Sequence, residues 1–146
     1  MLGINDDKPR EPITGEYAEK LRKELLISKA LKIWKGPFWT DNYGWIYSSE
    51  NVPAFTFECP ESEEEDREFI GMARNIVKIL NGEEGVKYSN LSIQDGCDLY
   101  MGDRLLGSFR GWGHLTGNGC HLSSEEAAKV QDAFIEYCME KIKEDV

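Results

Sequence analysis

The sequence predicts an α+β fold: two ββα-like units join into one antiparallel sheet with helices packed on one side, and a further helix precedes them. Two stretches of strand-like alternation, each broken by a turn signal, are each followed by an apolar stripe at helical spacing. Each stripe opens behind a serine suited to cap a helix. A lone hairpin cannot bury both of its faces, so the two hairpins are expected to share a sheet and a common layer of helices. At 146 residues the chain fits a single domain, residues 1–146, whose core needs no disulfides.

Residues 1–13, with Pro9 and Pro12, read as an extended arm. Thr14 can cap a helix over residues 14–35, with Tyr17, Leu21, Leu25, Leu31 and Trp34 along its apolar side. Gly36 and Pro37 stop it. The first unit, residues 36–82, opens in an aromatic block containing Phe38, Trp39, Tyr43, Trp45 and Tyr47. Gly44–Ser48 and Pro53–Glu58 read as strands joined by Ser49–Val52, with Phe55 and Phe57 on one face. Ser62 then starts a helix with a stripe at Phe69, Ala73, Ile76, Val77 and Leu80, and its acidic first turn suits the helix dipole. Asn81 and Gly82 supply the stop, glycine tolerating a left-handed cap.

The second unit, residues 86–146, repeats the plan. Val86–Ile93 alternates weakly as a strand, and Cys97–Met101 and Arg104–Phe109 flank Gly102-Asp103, a pair suited to a type II′ hairpin turn. Ser123 and Glu126 form a capping box ahead of a helix over 124–144, with Ala127, Val130, Phe134, Tyr137 and Cys138 on one face. Ile46–Phe57 and Leu99–Phe109 share a rhythm, which internal duplication and chance both explain.

Charge is unevenly placed. Residues 1–57 carry eight acidic and eight basic side chains, whereas 58–146 carry nineteen acidic and nine basic ones and hold the whole net charge of −10. Glu61, Glu63, Glu64, Glu65 and Asp66 mark the acidic extreme and are the candidate contacts for a basic protein partner. Direct nucleic-acid binding is not expected, because phosphates would be repelled by most of the surface. The four cysteines, Cys59, Cys97, Cys120 and Cys138, lie far apart and read as reduced thiols. With no secretory or membrane-spanning run, the expectation is a cytoplasmic protein with no membrane role. The oligomeric state is left open, a homodimer included.

The runs Gly36–Trp39, Gly44–Ser48 and Ala73–Asn81, with Arg110–Gly113 and Ala127–Asp132 further on, resemble small uncharacterised proteins of bacteriophages and prophages. The resemblance implies a mobile-element origin, hence a bacterial host cytoplasm, and assigns no chemistry to any residue.

The segment most suggestive of contact with another molecule is Arg110–His121, where four glycines accompany Arg110, Trp112 and both histidines. In one reading Arg110 and bare backbone amides meet a phosphate while Trp112 stacks on a base. In the other, which is the expectation, Trp112 plugs the core and the glycines make turns. His114 with Thr116, and His121 with Ser123, resemble the paired triplets of two-histidine phosphoesterases, but that family places its triplets in separate halves of the fold. His114, Cys120 and His121, with Cys97 or Cys59, could be imagined around zinc, yet adjacent Cys120 and His121 are poorly spaced for it. No catalytic set, metal or cofactor is therefore expected. A small acidic binding protein that inhibits a host defence or nucleic-acid-handling protein is the leading expectation. A nucleotide or small-ligand binder, or a phosphoesterase-like enzyme, is the alternative.

Overall fold

The computed structural model describes residues 15–116 and 122–144. In chain order these form α1 (Gly15–Ile33), β1 (Trp39–Thr40), β2 (Trp45–Tyr47), β3 (Pro53–Phe57), α2 (Glu63–Leu80), β4 (Leu91–Gln94), β5 (Asp98–Met101), β6 (Arg104–Phe109), α3 (Trp112–Thr116) and α4 (Ser124–Ile142). The expected α+β class holds: the strands make one antiparallel sheet in the order β1-β2-β3-β6-β5-β4, with the helices on one side of it.

The two halves repeat each other about the central β3–β6 pair, where Thr56 faces Ser108. Glu58 donates its amide to the Leu106 carbonyl, and Arg110 donates its amide to that of Ala54. Phe57 bonds back to Gly44 as Phe109 bonds back to Cys97. Both units also carry the same irregularity: Ala54 is the extra residue opposite Ile46 and Tyr47, and Leu106 is the extra residue opposite Leu99 and Tyr100. Such bulges turn an additional side chain toward one face, and Ala54 and Leu106 are both buried in the core. The shared rhythm of the hairpins thus has a three-dimensional counterpart. The halves differ after their last strand, because α3 and the glycine-rich segment stand where the first unit has only Glu58–Ser62.

Local chemistry sets the element ends. Ser62 Oγ accepts from the Glu65 amide and Ser123 Oγ from the Glu126 amide, the expected caps of α2 and α4. Glu126 does not complete the capping box; its carboxylate takes Lys29 of α1 instead, at 2.6 Å. At the end of α2, Gly82 has φ +85°, its amide reaches Ile79 and that of Glu83 reaches Lys78. This is a Schellman closure. Gly102, at φ +64°, fills the first position of the two-residue turn as a type II′ geometry requires.

Several expectations are corrected. Tyr17 and Leu25 are exposed; Trp34, just past the end of α1, is buried as expected, but the helix itself buries Ala18 and Ala30, with Leu26 and Ile33 partly buried against the core. Its apolar residues run all round the helix, so periodicity alone could not choose the inner face. The fourth strand begins at Leu91 rather than Val86, which is exposed; Asn75 of α2 holds Val86 through both backbone groups. Tyr88 makes a lone parallel bridge to Lys143. Strand β1 and helix α3 were not foreseen. Thr14 and the arm before it lie outside the described residues.

The core centres on Phe134 of α4. Trp34 stacks on it at 4.3 Å between ring centroids, with Phe38 and Phe109 also against it, and Phe109 continues through Phe55 to Phe57 and Phe69. Gly107 lets the two middle strands close on this stack: a Cβ there would fall 2.1 Å from the Thr56 carbonyl oxygen and 2.7 Å from Phe57 Cα. Gly107→Ala is therefore expected to cost at least about 3 kcal/mol. Gly113→Ala, where a Cβ meets nothing within 4 Å, should change stability by about 1 kcal/mol or less. Urea denaturation of the two variants checks the contrast.

Candidate functional site

Where the second unit departs from the first, the chain opens a cleft of about 380 Å³. The β4–β5 turn supplies Asp95 and Gly96, β5 is preceded by Cys97, the end of β6 supplies Phe109 and Arg110, and Gly111, Trp112 and Gly113 follow. The opposite wall is α4, through Ala128, Gln131 and Asp132. The left-handed backbone of Asp95 (φ +52°) and Gly96 (φ +86°) turns that corner.

Arg110 and Trp112 are thus brought together, as the ligand reading of the segment requires. Trp112 keeps 43% of its surface exposed, which overturns the expectation that it plugs the core. Two other residues fill that space. Leu115 is fully buried, and Trp34 arrives from the end of α1 with its Nε1 donating to the Pro53 carbonyl at 2.8 Å. Gly111 lies so close to Trp34 that a Cβ would fall 2.6 Å from its ring, and its φ is +113°. This glycine serves packing. Thr116 turns its hydroxyl back to the Trp112 carbonyl at 3.3 Å. His114 occupies a position of α3, while Cys120 and His121 lie outside the described residues.

Sequence reasoning missed the α4 wall. Gln131 is buried, its Nε2 reaches the Phe109 carbonyl only at 3.4 Å, and its Oε1 has no partner among the described residues. Leaving such a group unpaired costs about 1–3 kcal/mol. A glutamine among Val130, Phe134 and Tyr137 gives a local signal only in hindsight, as the one polar residue on a buried helix face. Burial raises the pKa of Asp132, and burial then Asp98 raise that of the Cys97 thiol, while Arg110 pulls it the other way. A thiol held protonated is a poor nucleophile. Among the described residues no three His, Cys, Asp or Glu side chains converge as a metal-binding group.

The acidic candidates divide. Glu61, Glu63, Glu64 and Asp66 are exposed. Glu65 is recruited internally: it accepts from the Glu61 amide and, with Glu68, from Arg104 of β6 at 2.8 Å each. Arg104 also lies over the Phe69 ring. The Glu61 amide first and Arg104 second hold the Glu65 carboxyl below its ordinary pKa, and Arg104 does the same for Glu68.

On the other side of the sheet, no described helix covers the strands. Ile46 points into the core, so Trp45 and Tyr47 project from the opposite face. There Trp39, Tyr47 and Trp45 form a stack, with centroids 4.6 and 6.1 Å apart. Trp39 is 41% exposed and Tyr43, in the adjoining turn, 86%. Asp41 pins this corner, accepting from Tyr47 Oη and from the Tyr43 and Trp45 amides. The sequence showed the aromatic block but not that part of it faces outward.

Leu115→Ala is expected to cost about 2–5 kcal/mol by cavity formation, and Trp112→Ala about 1 kcal/mol. Thermal melts of the two variants check this reversal of the sequence expectation. A second expectation concerns pH. Because the Glu65 and Glu68 pKa values are depressed in the fold, their stabilisation is present above about pH 4.3 and is lost as pH falls through the folded values. The gap in urea midpoint between wild type and Arg104→Ala should be widest near pH 7. It should shrink toward pH 2, leaving the Phe69 contact as residue.

No protein-family model, curated protein or solved structure matches this chain.

Proposed function

We propose that this chain is a stoichiometric protein-binding protein that presents the helix-free face of its sheet, centred on the Trp39–Tyr47–Trp45 stack, to a partner with a basic surface. The carrying observation is that stack: large rings stand on a sheet face that no described helix covers, with Trp39 and Tyr43 still open to solvent. Tryptophan and tyrosine dominate the energetics of protein interfaces because they bury much area with few rotatable bonds. The net charge of −10 supplies the electrostatic half of the recognition. Exposed Glu61, Glu63, Glu64 and Asp66 would speed encounter with a basic partner rather than anchor it. Glu65, engaged by Arg104, is withdrawn from that role.

The likeness to small phage proteins makes inhibition of a host defence or nucleic-acid-handling protein, in a bacterial cytoplasm, the specific form of this proposal. No direct nucleic-acid or membrane binding is part of it. No helix among the described residues is long and apolar enough to cross a membrane.

The test begins with the partner captured from host lysate and continues with its measured affinity for variants. Tyr43→Ala and Trp39→Ala should each weaken binding about tenfold or more, the equivalent of about 1.4 kcal/mol, with far-UV circular dichroism unchanged. Replacing Glu63, Glu64 and Asp66 by lysine should slow association at low salt and leave dissociation nearly unaltered. Full affinity in both aromatic variants would remove the sheet face from the interaction.

A further inference from the structure

The cleft beside α4 carries an inference independent of the sheet face. We propose that it binds a nucleoside monophosphate, with Trp112 against the base, the Gln131 amide on the base's hydrogen-bonding edge and Arg110 on the phosphate.

The amide is the starting point. Gln131 is 7% exposed and lines the cleft, and its Oε1 has no partner among the described residues. Its Nε2 is directed at the Phe109 carbonyl, which fixes the amide's orientation, so the unmet group is the acceptor Oε1. The missing partner is a hydrogen-bond donor. The amino and ring N–H groups on nucleobase edges supply one. Trp112, half-exposed on the same cleft, adds a flat ring of the kind on which bases stack.

Charge selects the rest of the ligand. Arg110 forms no ion pair among the described residues and lies near enough to Cys97 to act on its thiol. Asp95 and Asp132, also lining the cleft, are acceptors for sugar hydroxyls. The guanidinium pairs with one charge of a monophosphate, while the two carboxylates weigh more heavily against the larger charge of a triphosphate. The volume of about 380 Å³ sits at the small end of ligand pockets and suits a mononucleotide rather than a dinucleotide. The repeat itself sets the place apart. The counterpart of Arg110 in the first unit is Glu58, and the insertion that builds the cleft is missing there.

Isothermal titration of the full chain with AMP, GMP, CMP and UMP, their nucleosides and their triphosphates tests this. At least one monophosphate should bind saturably, about threefold or more tighter than its nucleoside and than its triphosphate. Arg110→Ala should abolish the advantage of monophosphate over nucleoside. Trp112→Ala should weaken both about tenfold while the protein stays folded. Gln131→Met, which removes the orphaned amide at similar volume, should abolish discrimination among the bases. Absence of saturable binding by every monophosphate at millimolar concentration overturns the proposal. So does binding that survives both Arg110→Ala and Trp112→Ala undiminished.

Discussion

The fold depends on how Trp34 is held. Its indole is fully buried, stacked on Phe134 of α4, bonded through Nε1 to the Pro53 carbonyl at the start of β3, and pressed against Gly111. One side chain thereby fixes the end of the first helix against a central strand, the last helix and the segment leaving β6. A buried indole N–H needs an acceptor, and the Pro53 carbonyl, beyond the Phe55–Phe57 stretch that pairs with β6, supplies one at 2.8 Å. The geometry also dictates a glycine at 111, since any Cβ would collide with the ring. What looks in the sequence like a glycine placed for a ligand is first a glycine placed for a tryptophan.

That constraint explains why Trp112 is left outside. Beneath the segment the available space is already taken by Trp34 and Leu115, both without exposed surface. A second large ring cannot enter a core packed at crystal-like density. Trp112 therefore stays on the rim, where it lies beside Arg110 and across from Gln131. The near-repeat of the two units sharpens the contrast. Paired hydrogen bonds and matched bulges hold the halves to one pattern through the sheet, and the departure comes where β6 leads into α3. Regular parts of the repeat make core; the irregular part makes surface with polar character.

Legibility from sequence followed the range of the interactions. The caps at Ser62 and Ser123, the closure at Asn81 and Gly82 and the Gly102 turn rest on neighbours within a few residues, and the local pattern announced them. The fold class followed from the two hairpin-and-helix periods. The inner face of α1 did not, because Tyr17 and Leu25 obey the same spacing as the residues that are buried. Strand β1 is two residues long and exists through its pairing with β2, so it leaves no period to read. The position of Trp112 depends on Trp34, and the role of Gln131 depends on the end of β6. Both lie far away in sequence. The site residues on the loop were therefore nameable, whereas the wall that completes them was not.

The distribution of charge takes the same reasoning one step further. Seven carboxylates between Glu58 and Glu68 read as a single acidic patch in the sequence. In the fold, Arg104 draws Glu65 and Glu68 toward the β6 hairpin and lies over Phe69, so part of the patch is spent on joining α2 to the sheet. The pair is only partly buried, and solvent screening keeps such a bridge weak on its own. Its value lies in geometry: the bidentate contact to Glu68 sets the arginine over an aromatic ring already in the core. Of the five others, Glu61, Glu63, Glu64 and Asp66 lie at the solvated start of α2, where the helix dipole favours them without a partner. Negative charge there therefore costs the fold little, and it is left available to attract whatever basic surface the protein meets.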